Sequence, residues 1–290
     1  MIGELVKTKT KDKLILNGFY LSGDKSKPLI IHIHGYEGDF YSNNFVHAIG
    51  NKLNNNGFGF LTVETRGSYH LREFNIYQGG YKTYGAQIEK LEEAYLDIDA
   101  WVQFAIKLGY QSIILQGHSL GTFKSVRYLM EGKNVNYISK LILICPFDKT
   151  FNIDTYSKGK YLEYVDISKT QIDSNNGEAI VPKIYSHIPI SYQTYASWYQ
   201  EDELSHMFDM SFKSYNFLTL NKINIPVHVV VGSEDEYFYQ VNPKNPQEGL
   251  NILLNNLRIG TGNIIDGAKH GFKGFEEELA TDIESYVSKK

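Results

Sequence analysis

Cysteine is almost absent from this chain of 290 residues: Cys145 is the only one. One thiol excludes an intramolecular disulfide, and "MIGELVKTKTKDKLIL" has no apolar segment of signal-peptide length, so a reducing, cytoplasmic setting is expected. No run approaches the ~18 consecutive apolar residues of a membrane-spanning helix, and membrane insertion is not expected. Surplus charge is missing too. A formal net charge of −4 gives no general attraction to nucleic acid or anionic lipid. The aromatic residues are not interleaved with a basic patch, which argues against a nucleic-acid stacking platform. The chain has no Gly-x-x-x-x-Gly-Lys phosphate loop. "GTGNIIDG" lacks the Gly-x-Gly-x-x-Gly spacing and falls before a strand, so no dinucleotide site is expected. "HIHGYEGD" begins like a His-x-His metal site but lacks the Asp-His that would complete one. Neither metal nor cofactor is expected.

What is present is ordinary in bulk and skewed in one respect. Hydrophobic residues make up 42% and charged residues 21%, enough for a sizeable core in one large domain, while tyrosine reaches 22. Two amphipathic runs, "ELVKTKT" and "KLILNGFYLSG", predict an opening antiparallel pair. "PLIIHIHGY", "FGFLTVETRG", "SIILQG", "KLILICP", "IPVHVVVGSED" and "NIIDG" read as strands, several of them continuously apolar. Helices fall between them, at "NNFVHAIGNKLNNNG", "GAQIEKLEEAYLDIDAWVQFAIKLG", "TFKSVRYLMEG", "PQEGLNILLNNL" and "FEEELATDIESYVSKK". Residues 67–84 are expected to form a long loop. The alternation predicts an α/β fold with a mostly parallel central sheet covered by helices on both faces.

Residues 148–222 interrupt the rhythm with polar punctuation and a set of aromatics: Tyr156, Tyr161, Tyr164, Tyr185, Tyr192, Tyr195, Tyr199, Tyr215 and Trp198. The expected organisation is a core of residues 1–147 and 223–290 with 148–222 inserted as a partly helical lid over the carboxyl ends of the strands. The tyrosines would either form a broad, partly polar pocket wall for a bulky substrate or cover a small core of the lid itself.

"LQGHSLGT" places Ser119 between two glycines where a strand gives way to a helix. Such a turn holds the serine backbone in a strained conformation, lifts its hydroxyl above the sheet and aims the next N–H at the reaction centre. A serine hydroxyl needs a base and an orienting acid. His270, in "DGAKHGF" after the last strand, is the candidate base. His32 and His34 lie on one buried strand and His228 opens another. His118 is expected to turn away from the serine. His47, His70, His187 and His206 have no strand-end context. Asp235, at the end of "VVVGSED", is the candidate acid; Asp148 is the runner-up, and Glu234 and Glu236 read as solvated. The loop after "HIHG" would supply the backbone N–H of Tyr36 to an oxyanion hole, paired with that of Leu120.

"HIHGY", "GHSLG", "GSED" and "AKHGF", in that order and each after an apolar strand, resemble the α/β-hydrolase family over nearly the whole chain. The resemblance implies Ser119 as nucleophile, Asp235 as acid, His270 as base, and Tyr36 and Leu120 as oxyanion donors. It implies a carboxylic ester or lactone as substrate, with peptidase and thioesterase variants as alternatives. "ILQGHSLGTFKSVRYL" and "GAKHGFKGFEEELA" are similar to a branch that includes siderophore-ester hydrolases. "ETRGSYH" departs from the aspartate–arginine–glycine turn of many members. A non-catalytic small-molecule binder on the same fold is the second functional class.

Overall fold

A computed structural model describes residues 2–212, 217–241 and 243–289; Tyr215 lies outside them. The chain order is β1 (Glu4–Lys9), β2 (Ile15–Leu21), β3 (Leu29–Ile33), α1 (Asn44–Asn55), β4 (Gly59–Val63), β5 (Arg72–Asn75), β6 (Tyr81–Tyr84), α2 (Ala94–Lys107), β7 (Ile113–His118), α3 (Leu120–Glu131) and β8 (Ile138–Ile144). There follow α4 (Lys149–Ser157), α5 (Tyr161–Asp173), α6 (Tyr192–Tyr199), α7 (Leu218–Asn221), β9 (Val227–Gly232), α8 (Pro246–Asn255), β10 (Gly260–Ile265) and α9 (Glu276–Ser288). Eight strands form one sheet in the order β1-β2-β4-β3-β7-β8-β9-β10. The opening pair is antiparallel, as its alternation predicts, and β2 joins β4 antiparallel; every later pairing is parallel.

The inner strands are apolar on both faces because both faces are covered. Every residue of β3, β4, β7 and β9 is buried. On one side α1 and α9 pack against the sheet through Phe45, Ile49, Leu53, Leu279 and Ile283. On the other, α2, α3 and α8 contribute Ile98, Trp101, Phe123, Val126 and Leu250. Right-handed crossovers between parallel strands demand this layering. It also brings the loops after β3, β7, β8, β9 and β10 to one rim of the sheet, where candidate residues from distant parts of the chain meet.

Two expectations need correction. Residues 67–84 are not simply a loop: β5 and β6 pair as an antiparallel hairpin, Arg72 opposite Tyr84. The turn between them runs through Gln78, Gly79 and Gly80, all at positive φ, and Phe74 is buried beneath the Arg72 guanidinium. The helix expected from residue 85 begins only at Ala94, after a single 3-10 turn. Residues 86–89 instead return hydrogen bonds to Tyr69, His70 and Gly85, and Glu89 turns into the interior. Among the described residues, no helix is long and apolar enough to cross a membrane.

Candidate active site

Strand β7 delivers Ser119 directly into α3, and the turn is strained: Ser119 sits at φ 54°, ψ −123°. A non-glycine residue holds such a backbone only where its surroundings enforce it. Here the Ser119 N–H donates to Ile144 O at 3.0 Å, while its carbonyl accepts from the Thr122 N–H and hydroxyl. The glycines answer to close approach. A Cβ on Gly121 would stand 2.2 Å from Ile33 O, and one on Gly117 would stand 2.3 Å from Gly121 O.

His270 lies in the loop between β10 and α9. Its Nδ1 is 3.0 Å from each carboxylate oxygen of Asp235, in the loop after β9. Burial alone would raise the Asp235 carboxyl. The hydrogen bond and charge of His270, with the Cys145 thiol and the Tyr237 N–H, hold it below its ordinary value. Since carboxylate oxygens only accept, Nδ1 carries the proton and Nε2 is left free to act as a base. Asp148, the runner-up acid, is engaged elsewhere: it caps α4 by accepting from the Phe151 N–H and also accepts from the Ser211 N–H.

Ser119 and His270 line one cavity of about 420 Å³. Its core side includes Gly35, Tyr36, His118 and Tyr237; residues 148–222 add Lys149, Ile153, Ile188, Trp198 and Tyr199. Most of the tyrosines of that segment do not reach it. Tyr164 and Tyr185 stack at 3.8 Å between ring centroids, and Tyr195 packs between Tyr185 and Tyr199. Tyr36 spans the two sides, its ring edge-on to Trp198 and its hydroxyl donating to Pro189 O at 3.1 Å.

The loop after β3 approaches the serine closely; a Cβ on Gly35 would be 2.8 Å from Ser119 Cβ. Among the described residues, neither the Tyr36 N–H nor the Leu120 N–H has a hydrogen-bond partner. Behind that loop, His34 Nδ1 donates to Gly35 O at 2.7 Å, and its Nε2 faces the Thr65 N–H and the Ser68 hydroxyl. Burial and the positive charge of Lys124 push His34 down to about 3, so it is a neutral ring with a fixed tautomer. Lys124 is itself buried against Glu89 at 2.7 Å. The "ETRGSYH" turn is held by Arg66, whose guanidinium meets Asp97, Glu93 and Asp12.

Three side chains near the triad candidates escaped the sequence. His118, expected to turn away, lines the cavity and packs on His270 with ring centroids 5.1 Å apart. Tyr237 sets its ring edge-on to His270 at 4.9 Å. Cys145 lies behind Asp235: its sulfur, an Asp235 oxygen and an His270 nitrogen fall within 4.8 Å of one another. The thiol is fully buried, and burial with the Asp235 charge pushes it well above its usual value, so it stays protonated and is no rival nucleophile. Only the strand-end position of Cys145 could have pointed to it.

The sheet order, the strained serine turn and the rim of loops define the α/β-hydrolase fold. The chain belongs to the family described as "Protein of unknown function (DUF1749)", which it matches over residues 5–287. No curated protein sequence matches it significantly. Among solved structures, it is similar to Est1E from Butyrivibrio proteoclasticus bound to ferulic acid, at 18% identity and a TM-score of 0.63, covering 97% of this chain and 98% of that one. A soluble variant of monoglyceride lipase from Saccharomyces cerevisiae, in complex with a substrate analogue, aligns at 14% identity and a TM-score of 0.66, over 99% and 96% of the two chains. Alpha/beta hydrolase domain-containing protein 10 from mouse aligns at 17% and 0.61, over 98% of each chain.

Proposed function

We propose that this protein is a serine hydrolase that cleaves a carboxylic ester or lactone through an acyl-enzyme. The observation that carries the proposal is the His270–Asp235 pair beside a strained Ser119 in one cavity. Ser119 Oγ attacks the substrate carbonyl carbon and its proton passes to His270 Nε2, while Asp235 holds the imidazolium through Nδ1–H. The N–H groups of Tyr36 and Leu120, unpartnered among the described residues, receive the oxyanion. As the tetrahedral intermediate collapses, His270 returns the proton to the leaving alkoxide. Water then gives a proton to His270 as it attacks the acyl carbon, and the acid departs with Ser119 restored. No metal or cofactor has a part in these steps.

Residues 148–222 act in this reading as the lid. Trp198 and Tyr199 supply its apolar wall, and the cavity volume accommodates a bulky ester, of which siderophore-type esters are one form. The lone buried thiol fits work in the cytoplasm. Incubation with a fluorophosphonate probe, followed by intact mass and peptide mapping, tests the mechanism. A single adduct on Ser119, absent from Ser119→Ala, is expected. Folded wild-type protein that takes no adduct would favour a non-catalytic binder instead.

A further inference from the structure

We infer that His118, the residue immediately before the nucleophile, is the positioning residue that sets the catalytic base against it. The inference rests on the triad reading above and adds a residue to it. The loop that carries His270, "DGAKHGFKG", has glycines at 267, 271 and 274. Gly267 and Gly274 are at positive φ, as is Phe272. The loop is anchored on either side of His270, by Ala268, whose carbonyl accepts from the Glu234 N–H at 2.9 Å, and by the buried Phe272, but neither contact is made by His270 itself. Asp235 fixes the His270 ring from Nδ1 but not the backbone that carries it. The Glu236 carboxylate accepts from the His270 N–H at 3.3 Å, on the exposed side of the loop.

His118 supplies the interior restraint. Its Nε2 is 3.0 Å from the backbone carbonyl of His270. A carbonyl oxygen only accepts, so His118 Nε2 carries a proton and donates it to that bond. The His118 ring is buried, between the ring of Phe45 at 4.9 Å and that of His270 at 5.1 Å. Burial and the His270 charge push His118 down to about 3. It therefore stays neutral when His270 becomes imidazolium, and keeps its donor without adding a like charge.

The consequence is geometric. His118 and Ser119 are consecutive, about 3.8 Å apart at Cα. One side chain thus ties the backbone of the base to the neighbour of the nucleophile. Its length sets how far His270 stands from Ser119, a distance on which proton transfer depends steeply: a misplacement of about 1 Å can cost about 10²-fold in rate. Phe147 and Tyr237 also meet the His270 ring, but as aromatic edges, which leave its depth along the cavity less closely defined.

A substitution series at 118 separates donor from ring. Glutamine places an amide N–H near the position of Nε2, asparagine falls short of it, and phenylalanine keeps the ring packing on Phe45 without a donor. On a p-nitrophenyl ester, His118→Phe and His118→Asn are expected to lose about 10- to 100-fold in kcat with KM changed less than about threefold. His118→Gln is expected to recover most of the loss. Fluorophosphonate labelling of Ser119 should slow in the same order. If His118→Gln falls as far as His118→Asn, the donor is not what matters and the inference is overturned. The same holds if both polar variants keep the wild-type rate. These two variants decide the matter even if phenylalanine compromises the fold. An absent Ser119 adduct in wild-type protein would overturn the triad reading and this inference together. A wild-type adduct matched in rate by His118→Asn would overturn the role of His118 alone.

Discussion

At the scale of single residues, the candidate site separates into groups that react and groups that hold them. On the proposed mechanism Asp235 belongs to the second kind, since it keeps its charge throughout. Asparagine at 235 would keep the shape but offer His270 Nδ1 an amide N–H as readily as an oxygen, favouring the tautomer that protonates Nε2. Asp235→Asn is therefore expected to lower kcat by about 10³- to 10⁴-fold while the thermal midpoint moves little. Steady-state kinetics on a p-nitrophenyl ester read the change, and a loss below tenfold would remove Asp235 from the mechanism. The strand-end pattern Gly-x-x-Asp made Asp235 legible, as the loop after the last strand did for His270. His118 was not legible in its role, because sequence proximity to Ser119 says nothing of which distant loop will pack on its ring. Cys145 has the same history: only the parallel pairing of β8 with β9 puts its thiol behind Asp235.

At the scale of elements, continuous apolar strands and 3.6-residue helical spacing declared the parallel sheet and most of its crossovers. The hairpin of β5 and β6 stayed hidden because four-residue strands with polar faces carry little period-2 signal, although its Gly79–Gly80 turn was present in the letters. The late start of α2 has a physical cause in α6, which takes over the backbone groups that a longer α2 would have paired internally. Leu91 donates its N–H to Ser197 Oγ at 2.8 Å, Ser197 donates to Glu92 Oε2, and Thr194 Oγ1 bonds the carbonyls of Gln87 and Glu89. The aromatic wall of the cavity is thus pinned to the core by one short helix. Ser197→Ala leaves the Leu91 N–H buried without a partner and should cost about 1–3 kcal/mol of stability. Because Trp198 and Tyr199 follow directly, KM for a bulky ester should rise. Urea unfolding and kinetics on short and bulky esters measure both effects; unchanged stability would mean that the Ser197 hydroxyl is not what holds α6 against the start of α2.

For the whole molecule, pH connects the segment over the cavity to the stability of the fold. Asp148 is fully buried at the start of α4, and burial with the negative charge of Asp209 raises it to about 7 from an ordinary 3.8. A carboxyl raised on folding binds its proton more tightly in the native state. The stability it contributes is full below about pH 3.8 and is lost as pH rises through about 7. Above that, native protein carries a poorly solvated charge beside Asp209, and three pKa units correspond to about 4 kcal/mol as an upper figure. Asparagine at 148 cannot ionise and keeps an oxygen for the N–H of Phe151 or Ser211, at a cost of about 1 kcal/mol for the weaker hydrogen bonding. Asp148→Asn should therefore unfold at a higher temperature than wild type at pH 8. The difference should shrink by pH 5 and reverse near pH 4, where the wild-type carboxyl is protonated and the variant retains only its weaker bonds. Asp235, held low, works in the opposite sense: its contribution is present above about pH 3.8 and is lost as pH falls through its native value. Asp148→Asn leaves that acid limb in place, so both proteins should lose stability together below pH 4. Calorimetry of the two across pH 3–8 reads the whole pattern. A constant gap between them over that range would show that Asp148 is charged in the native state throughout, with Lys149 or a neighbour of Asp209 carrying the compensation.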